Sequence, residues 1–432
     1  MASLPLEGVR VLEHGEALAG PFSVALLSDA GAQCIKIESI QRSRGVVNPV
    51  PGSPGYANGA VGGRPWERSA NSNHVNRGKL GITIDLTRPK GVALYKKLLA
   101  ISDVVVENFS AGTMERLGLG YEELKKVKPD IIMVSMSGFG ATGPYRGYAS
   151  YGFNVDGMIG QTALRGYADE DPSQSVPSVQ ADAVNACNAA FAVMAAMIHR
   201  QHTGRGQHVD ISMAEGMLPH LVGPVMDYFM NRRAAKRLGN GHEWMAPHGA
   251  YPCKGEDAWV AIAVSSDKEW SRLCQAMGDP LWSRDPRFGG PLDRLRHQDE
   301  LDALISQWTL EHEHYDVMHI LQQAGVAAAP FMKEEEVFAD PHLNARGFFE
   351  EKTHREAGTH RYPGAVWKFS KTPMNMRLVA PCLGEHNEYV MAELLGLSKE
   401  ELAHLEAEQY IGTDYIEGAE LSRAEREALA RG

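Results

Sequence analysis

The chain has 432 residues, 44% hydrophobic and 22% charged, with a formal net charge of -11. That length exceeds one ordinary core and predicts two or three domains, in a composition typical of soluble globular proteins. The acidic balance argues against a nucleic-acid partner, and five scattered cysteines without a CxxC or Cys/His cluster argue against a metal site.

A strand candidate at 8–13 is followed by a loop at 14–21, a helix to about residue 30 and a strand at 33–38. The N-terminus lacks a basic region ahead of an apolar core, so no secretory signal is expected. Residues 40–76 are rich in Gly, Pro, Ser and Asn, and a loop that long is usually functional or mobile. Strands are expected at 80–86, 103–109 and 130–137, separated by helices at 88–101 and 121–128. This alternation predicts a parallel sheet with helices on its faces. Ligands bind such sheets at the carboxyl ends of strands, which selects the loops 14–21, 39–46, 108–116 and 138–151.

A helix of about twenty residues follows Asp182, then the turn Thr203-Gly204-Arg205-Gly206-Gln207 and a strand at 208–213. The helix contains the longest apolar run, 189–198, too short to cross a bilayer, so no membrane association is expected and a cytoplasmic location is. A helix at 213–231 leads to the basic run 232–237, read as either a solvated linker or a phosphate contact. A second unit begins near Gly255, with strands at 259–264 and 326–331 and helices at 267–277, 298–309 and 315–323. A Pro/Gly-containing stretch and helices from Asn387 close the chain.

Asp182 has two readings. At the start of an apolar helix it suits an N-cap. The helix terminus would also favour its ionised form, and a carboxylate held charged can attack an activated acyl group. Both roles use the same oxygens. Ala19-Gly20-Pro21 could bring backbone N–H groups to a phosphate, but no GxGxxG is present to support a dinucleotide site. The cations of Asn76-Arg77-Gly78-Lys79 either hold an anionic ligand or are solvated. His242 and His248 read as loop histidines.

Taken in order, these segments resemble the class III coenzyme A transferases, the family of formyl-CoA:oxalate and carnitine CoA-transferases. The likeness runs through Gly8-Val9-Arg10-Val11-Leu12, Leu18-Ala19-Gly20-Pro21, Ile35-Lys36-Ile37-Glu38, Asn76-Arg77-Gly78-Lys79 and Val106-Glu107-Asn108-Phe109. It continues through Ser137-Gly138-Phe139-Gly140, Asp182, Thr203-Gly204-Arg205-Gly206-Gln207, Asp285-Pro286-Arg287-Phe288 and Gly384-Glu385-His386. The resemblance implies an α/β fold: a Rossmann-like large domain with a parallel sheet, a smaller α+β domain, and an interlocked dimer. On this plan residues 1–231 and 332–432 build the large domain, 232–254 link, and 255–331 form the small one.

The same resemblance makes Asp182 the nucleophile, passing through an aspartyl anhydride and an aspartyl-CoA thioester. It places Leu18, Ala19, Lys79, Asn108, Phe109, Arg116 and Met213 at the coenzyme A site and Tyr151 near the thioester. Relatives often carry a 3′-phosphate-binding arginine where this chain has Ser39, leaving Arg42 or Arg44 as replacements. Leu18 stands where the oxalate enzyme has glutamine, which implies a less polar pocket. No permanent cofactor is expected; coenzyme A and acyl-CoA are substrates, with succinyl-CoA the expected donor and a carboxylic acid the acceptor. Two alternatives remain. An α-methylacyl-CoA racemase would need a histidine base where Tyr151 stands, and a tyrosine is a poor base at neutral pH. The chain could also be one subunit of a heteromeric transferase rather than a homodimer.

Overall fold

The structure, a computed structural model, describes residues 4–42, 55–174 and 178–419. Arg44, one of the two expected 3′-phosphate residues, and the second half of the loop 39–46 lie outside the described residues. Six strands, β1 (Arg10–His14), β2 (Gln33–Glu38), β3 (Lys79–Thr83), β4 (Val104–Glu107), β5 (Ile132–Ser137) and β6 (His208–Ser212), form one sheet ordered β3-β2-β1-β4-β5-β6. Every pairing in it is parallel. This is the α/β architecture expected.

Successive residues of a strand point to opposite faces, and both faces here are covered. Val11, Val104, Val106, Ile132 and Val134 face one core with α1 (Ala19–Asp29) and the Ala-rich helix described below. Leu12, Ile35, Ile82, Val105 and Met133 face the other, with Leu94 and Leu98 of α2 (Pro89–Ala100) and Leu124 of α3 (Tyr121–Val127). That double burial is why β4 and β5 read as continuous apolar runs. The edge strand β3 is closed by the distant C-terminal part. Gly81 N–H donates to His386 Nδ1 at 3.1 Å and Thr83 N–H to Asn387 Oδ1 at 2.9 Å, which masks an otherwise unpaired edge.

Three elements depart from expectation. A short helix, α4 (Gly152–Met158), forms where no apolar periodicity announced one. The long helix α5 runs from Gln180 to Thr203, with Val179 at its N-cap, so Asp182 is its third residue and not its cap. The expected helix 213–231 is three pieces, α6 (Met213–Met217), a 3-10 turn at Leu218–Leu221, and α7 (Val222–Asn231). Pro219 lacks the N–H that a continuous helix needs.

The chain divides into two compact units, one of Met1–Ile159, Pro177–Val222 and Ala345–Gly432, the other of Gly160–Val176 and Gly223–Asn344. The second unit holds an antiparallel sheet β7 (His248–Pro252), β8 (Trp259–Ala263), β9 (Ala327–Pro330). Its core joins Tyr251 and Ile262 to Trp270, Leu301, Ile305 and Leu321. Residues 232–254, expected as a linker, thus contain β7. In the basic run, Arg233 pairs with Asp227 at 2.5 Å and Arg237 donates to the Glu170 carbonyl at 2.6 Å. In the first unit an antiparallel hairpin, β10 (Phe349–His354) and β11 (Gly358–Pro363), fills part of the stretch read only as a return linker.

Candidate active site

Strands β1 and β4 are neighbours at the centre of the sheet, and the chain leaves them toward opposite edges. A crevice opens at such a switch point. The loop after β1 and the loop after β4 meet there. Asn108 accepts from Glu16 N–H at 2.9 Å and donates to the Glu16 carbonyl at 2.9 Å, clamping the two loops together. A Cβ on Gly20 would lie 2.7 Å from Asn108 Oδ1, and one on Gly15 would lie 2.4 Å from Glu13 Oε1, so close approach requires glycine at both. Between them Ala17 adopts φ 60°, an uncommon conformation for a residue with a side chain.

Helix α1 begins at Ala19 with Leu18 at its N-cap, and Leu18 offers no side-chain oxygen to the free N–H groups. The Asp182 carboxylate lies near that end, where the Ala19 N–H favours its ionised form. Asp182 therefore faces the start of the neighbouring helix while sitting in the first turn of its own. Helix α5 packs along α1, and α4 packs against α5. The first residue of α4, Gly152, lies so near that a Cβ there would be 1.9 Å from Asp182 Oδ2. Half-buried among these elements, the carboxyl is pushed above its usual range, first by burial and then by the Asp156 carboxylate. The Ala19 N–H and its own N–H pull the other way without reversing this. Burial and Asp156 thus oppose the ionised form that the helix terminus is expected to favour.

Below this point lies a buried cluster. Glu13 Oε2 meets Lys79 Nζ at 2.7 Å and Glu13 Oε1 meets Lys36 Nζ at 3.2 Å, with all three side chains almost fully enclosed. Lys79 Nζ also donates to the Pro21 carbonyl at 2.8 Å and to Asn76 Oδ1 at 3.1 Å. Burial lowers its pKa to about 8, against the attraction of Glu13. Arg77 is equally buried and pairs with Asp29 at 2.7 Å. Neither sequence reading of these two cations holds, because each is neutralised inside the protein by an acid distant in sequence. Lys79 therefore supports the loop from beneath, and its ammonium does not line the cleft.

A cleft of about 970 Å³ opens above the carboxyl ends of β1, β2, β3 and β4. That volume suits a ligand of cofactor size. Its lining includes His14–Ala17 of the loop that runs on to Ala19, together with Ser39, Arg42, Tyr56, Trp66, Leu86 and Phe109. Arg42 Nη2 pairs with Glu16 Oε2 at 2.9 Å, both groups open to solvent. His14 is buried and neutral near pH 7, because burial lowers its pKa to about 4.

Of the residues expected at the coenzyme A site, Arg42 and Phe109 line this cleft. Leu18, Ala19 and Asn108 form the loop junction beside it. Arg116 ends a helical turn, Thr113–Arg116, and its Nη2 donates to Thr113 Oγ1 at 2.8 Å, one turn from the cleft residue Thr113. Tyr151 is the N-cap of α4, directly before Gly152, with its ring largely exposed. Met213 is buried in the core, and its carbonyl accepts from Asn185 Nδ2 at 3.0 Å. In the loop after β5, Ala141 N–H donates to the Asp210 carboxylate at 3.0 Å and is not free to meet a ligand.

Sequence reasoning missed Gly152, Asp156 and the Glu13 cluster. The glutamate sits in a strand whose neighbours are apolar, a buried charge that signals a partner. Gly152 and Asp156 gave no signal, because α4 is short and its packing partners come from elsewhere in the chain.

Residues 6–387 match the model of CoA-transferase family III. The succinyl-CoA–D-citramalate CoA-transferase of Chloroflexus aurantiacus is 37% identical over 94% of this chain and 98% of its own length. The succinate–glutarate CoA-transferase of Agrobacterium fabrum is 34% identical over 90% and 96%. The beta subunit of a Chloroflexus aurantiacus succinyl-CoA–L-malate CoA-transferase is 31% identical over 95% and 98%. Among solved structures, a CAIB/BAIF family protein from Brucella suis superposes with a TM-score of 0.80 at 32% identity, covering 91% of this chain and all of that one.

Proposed function

The chain belongs to CoA-transferase family III and is a transferase of that type; from that premise we propose that it moves coenzyme A from succinyl-CoA to a second dicarboxylic acid through covalent intermediates on Asp182. The observation that carries the reading is the Asp182 carboxylate itself. It is half-buried, flanked by a residue without a side chain, and close to Ala19, two residues along the chain from Ala17 on the wall of a cofactor-sized cleft. The relatives' names supply the substrate class, since citramalate, glutarate, malate and succinate are all dicarboxylates.

Asp182 Oδ attacks the thioester carbonyl of the donor. The C–S bond breaks, coenzyme A leaves as thiolate, and an anhydride joins Asp182 to the donor acyl group. The thiolate then attacks Asp182 Cγ, the anhydride C–O bond breaks, and the donor leaves as carboxylate. The acceptor carboxylate runs the two steps in reverse, restores free Asp182 and departs as its CoA ester. Splitting one difficult exchange into such steps is the gain of covalent catalysis. In each attack on Cγ an oxyanion develops on an Asp182 oxygen, where Ala19 N–H already points. Arg42 is the residue we assign to the 3′-phosphate, as an exposed cation on the cleft wall.

A dimer fits the surface. Phe191 and Ile198 on α5 and Phe229 and Met230 on α7 are exposed large apolar side chains of the kind that association covers. The mass of the protein expressed alone separates a competent homodimer from one half of a heteromer. The mechanism is tested with Asp182→Ala. Wild-type protein incubated with succinyl-CoA should carry coenzyme A on the peptide containing Asp182. The variant should carry none and lose about 10³-fold or more in transfer rate. Near-normal transfer by folded Asp182→Ala would overturn the assignment.

A further inference from the structure

Asp156 has no place in the mechanism above, and its setting is unusual. It is 1% exposed. Ser178 Oγ donates to its Oδ2 at 2.6 Å, while Oδ1 is buried with no hydrogen-bond partner. Among the described residues no lysine or arginine is within ion-pair distance of it. A buried carboxylate with one unmet oxygen and no cation is costly, and nothing in the packing of α4 recovers that cost. Residues four apart share one face of a helix. Gly152, against Asp182, and Asp156 therefore look the same way, one turn apart.

We propose that Asp156 is a positioning residue for the transfer reaction: its buried like charge destabilises the free Asp182 carboxylate and so favours the acylated forms of Asp182. This rests on Asp182 as the nucleophile. The free Asp182 carboxylate and the Asp156 carboxylate repel each other. When Asp182 attacks the thioester, its charge leaves on the coenzyme A thiolate. When the thiolate returns to Cγ, the charge leaves with the donor carboxylate. Asp182 is uncharged in both covalent states, so the repulsion exists only while it is free. The same repulsion makes the carboxylate more basic and hence a better nucleophile. It is the second cause, after burial, of the raised Asp182 carboxyl.

The elements packed on α4 add no competing charge. Helix α5 brings Asp182, with Ala181 and Asn185 beside it uncharged, and the one charged residue of α6, Glu215, is exposed.

Asp156→Asn keeps the volume and the Ser178 contact and removes the charge. The low-pH limb of kcat/KM should then move down by about one pH unit, as expected for loss of a near like charge. The plateau kcat should fall about tenfold, the equivalent of one unit of basicity. KM for succinyl-CoA should hold, the melting temperature should hold or rise as the buried charge is removed, and less enzyme should be trapped as the CoA adduct with donor alone. Ser178→Ala removes the hydrogen bond that the Asp156 carboxylate accepts and should move the limb the same way, which keeps the test open if Asp156→Asn does not fold. An unmoved limb in whichever of the two variants is folded overturns the proposal. Asp182→Ala run beside them separates the failures: if it still transfers coenzyme A, the nucleophile is wrong; if it is inactive while the limb stays put, only the role of Asp156 is wrong.

Discussion

Replacing Gly152 with alanine isolates chemistry from folding. Gly152 is the first helical residue of α4, and its φ is not in the left-handed region, so alanine fits the backbone. Helix propensity alone would make the variant more stable by about 0.5–1 kcal/mol. The new methyl group, however, would stand 1.9 Å from Asp182 Oδ2, where ordinary contact begins near 3.4 Å. The carboxylate must retreat by about 1.5 Å, and a misplacement of about 1 Å costs on the order of 10²-fold in rate. The prediction is a kcat down by about 10²-fold with an unchanged or raised melting temperature. Steady-state transfer from succinyl-CoA and a thermal melt on the same preparation measure both. A kcat within a few fold of wild type would refute the idea that this gap positions the nucleophile.

Two further outcomes follow from the cleft and the sheet. Arg42→Gln should raise KM for succinyl-CoA about tenfold and leave kcat unchanged, since a charge-assisted contact is lost only in binding. With succinyl-dephospho-CoA the variant and wild type should converge; an equal loss on both thioesters would remove the 3′-phosphate from the Arg42 assignment. Glu107 is a buried carboxyl whose pKa burial raises from 4.5 to about 7, a shift of about 3 kcal/mol. Its folded pKa lies above its unfolded one, so its contribution is complete below about pH 4.5 and is lost as pH rises through about 7. Urea unfolding of Glu107→Gln should therefore gain on wild type between about pH 5 and pH 8, and a pH-independent difference would contradict that sign.

The sheet was legible because its strands are buried on both faces. Val104-Val105-Val106 and the run from Ile131 to Val134 announce themselves without alternation, and β2 was located to the residue. Strand order was not legible, since it depends on which strands pair at long range. The same limit governed the charged motif before β3. Whether Arg77 and Lys79 face a ligand or water is undecidable locally, because Asp29 and Glu13 are 48 and 66 positions away along the chain. The local signs pointed outward, and tertiary pairing turned both inward. α4 was invisible for a related reason, being a seven-residue helix held by neighbours rather than by its own apolar face.

The direction in which the Asp182 carboxyl is shifted supports the proposed role of this group as a nucleophile over that of a simple cap. A carboxylate that only caps gains hydrogen bonds and a favourable dipole, and its pKa falls. The Ala19 N–H at the uncapped end of α1 does act on Asp182 in that direction. Burial and Asp156 nevertheless outweigh it and move the group the other way. The fold thus spends a helix terminus on holding the carboxylate in place while its surroundings make the charge uncomfortable there. A cap has no use for the second effect. The nucleophile proposed here, which gives up its charge on acylation, does.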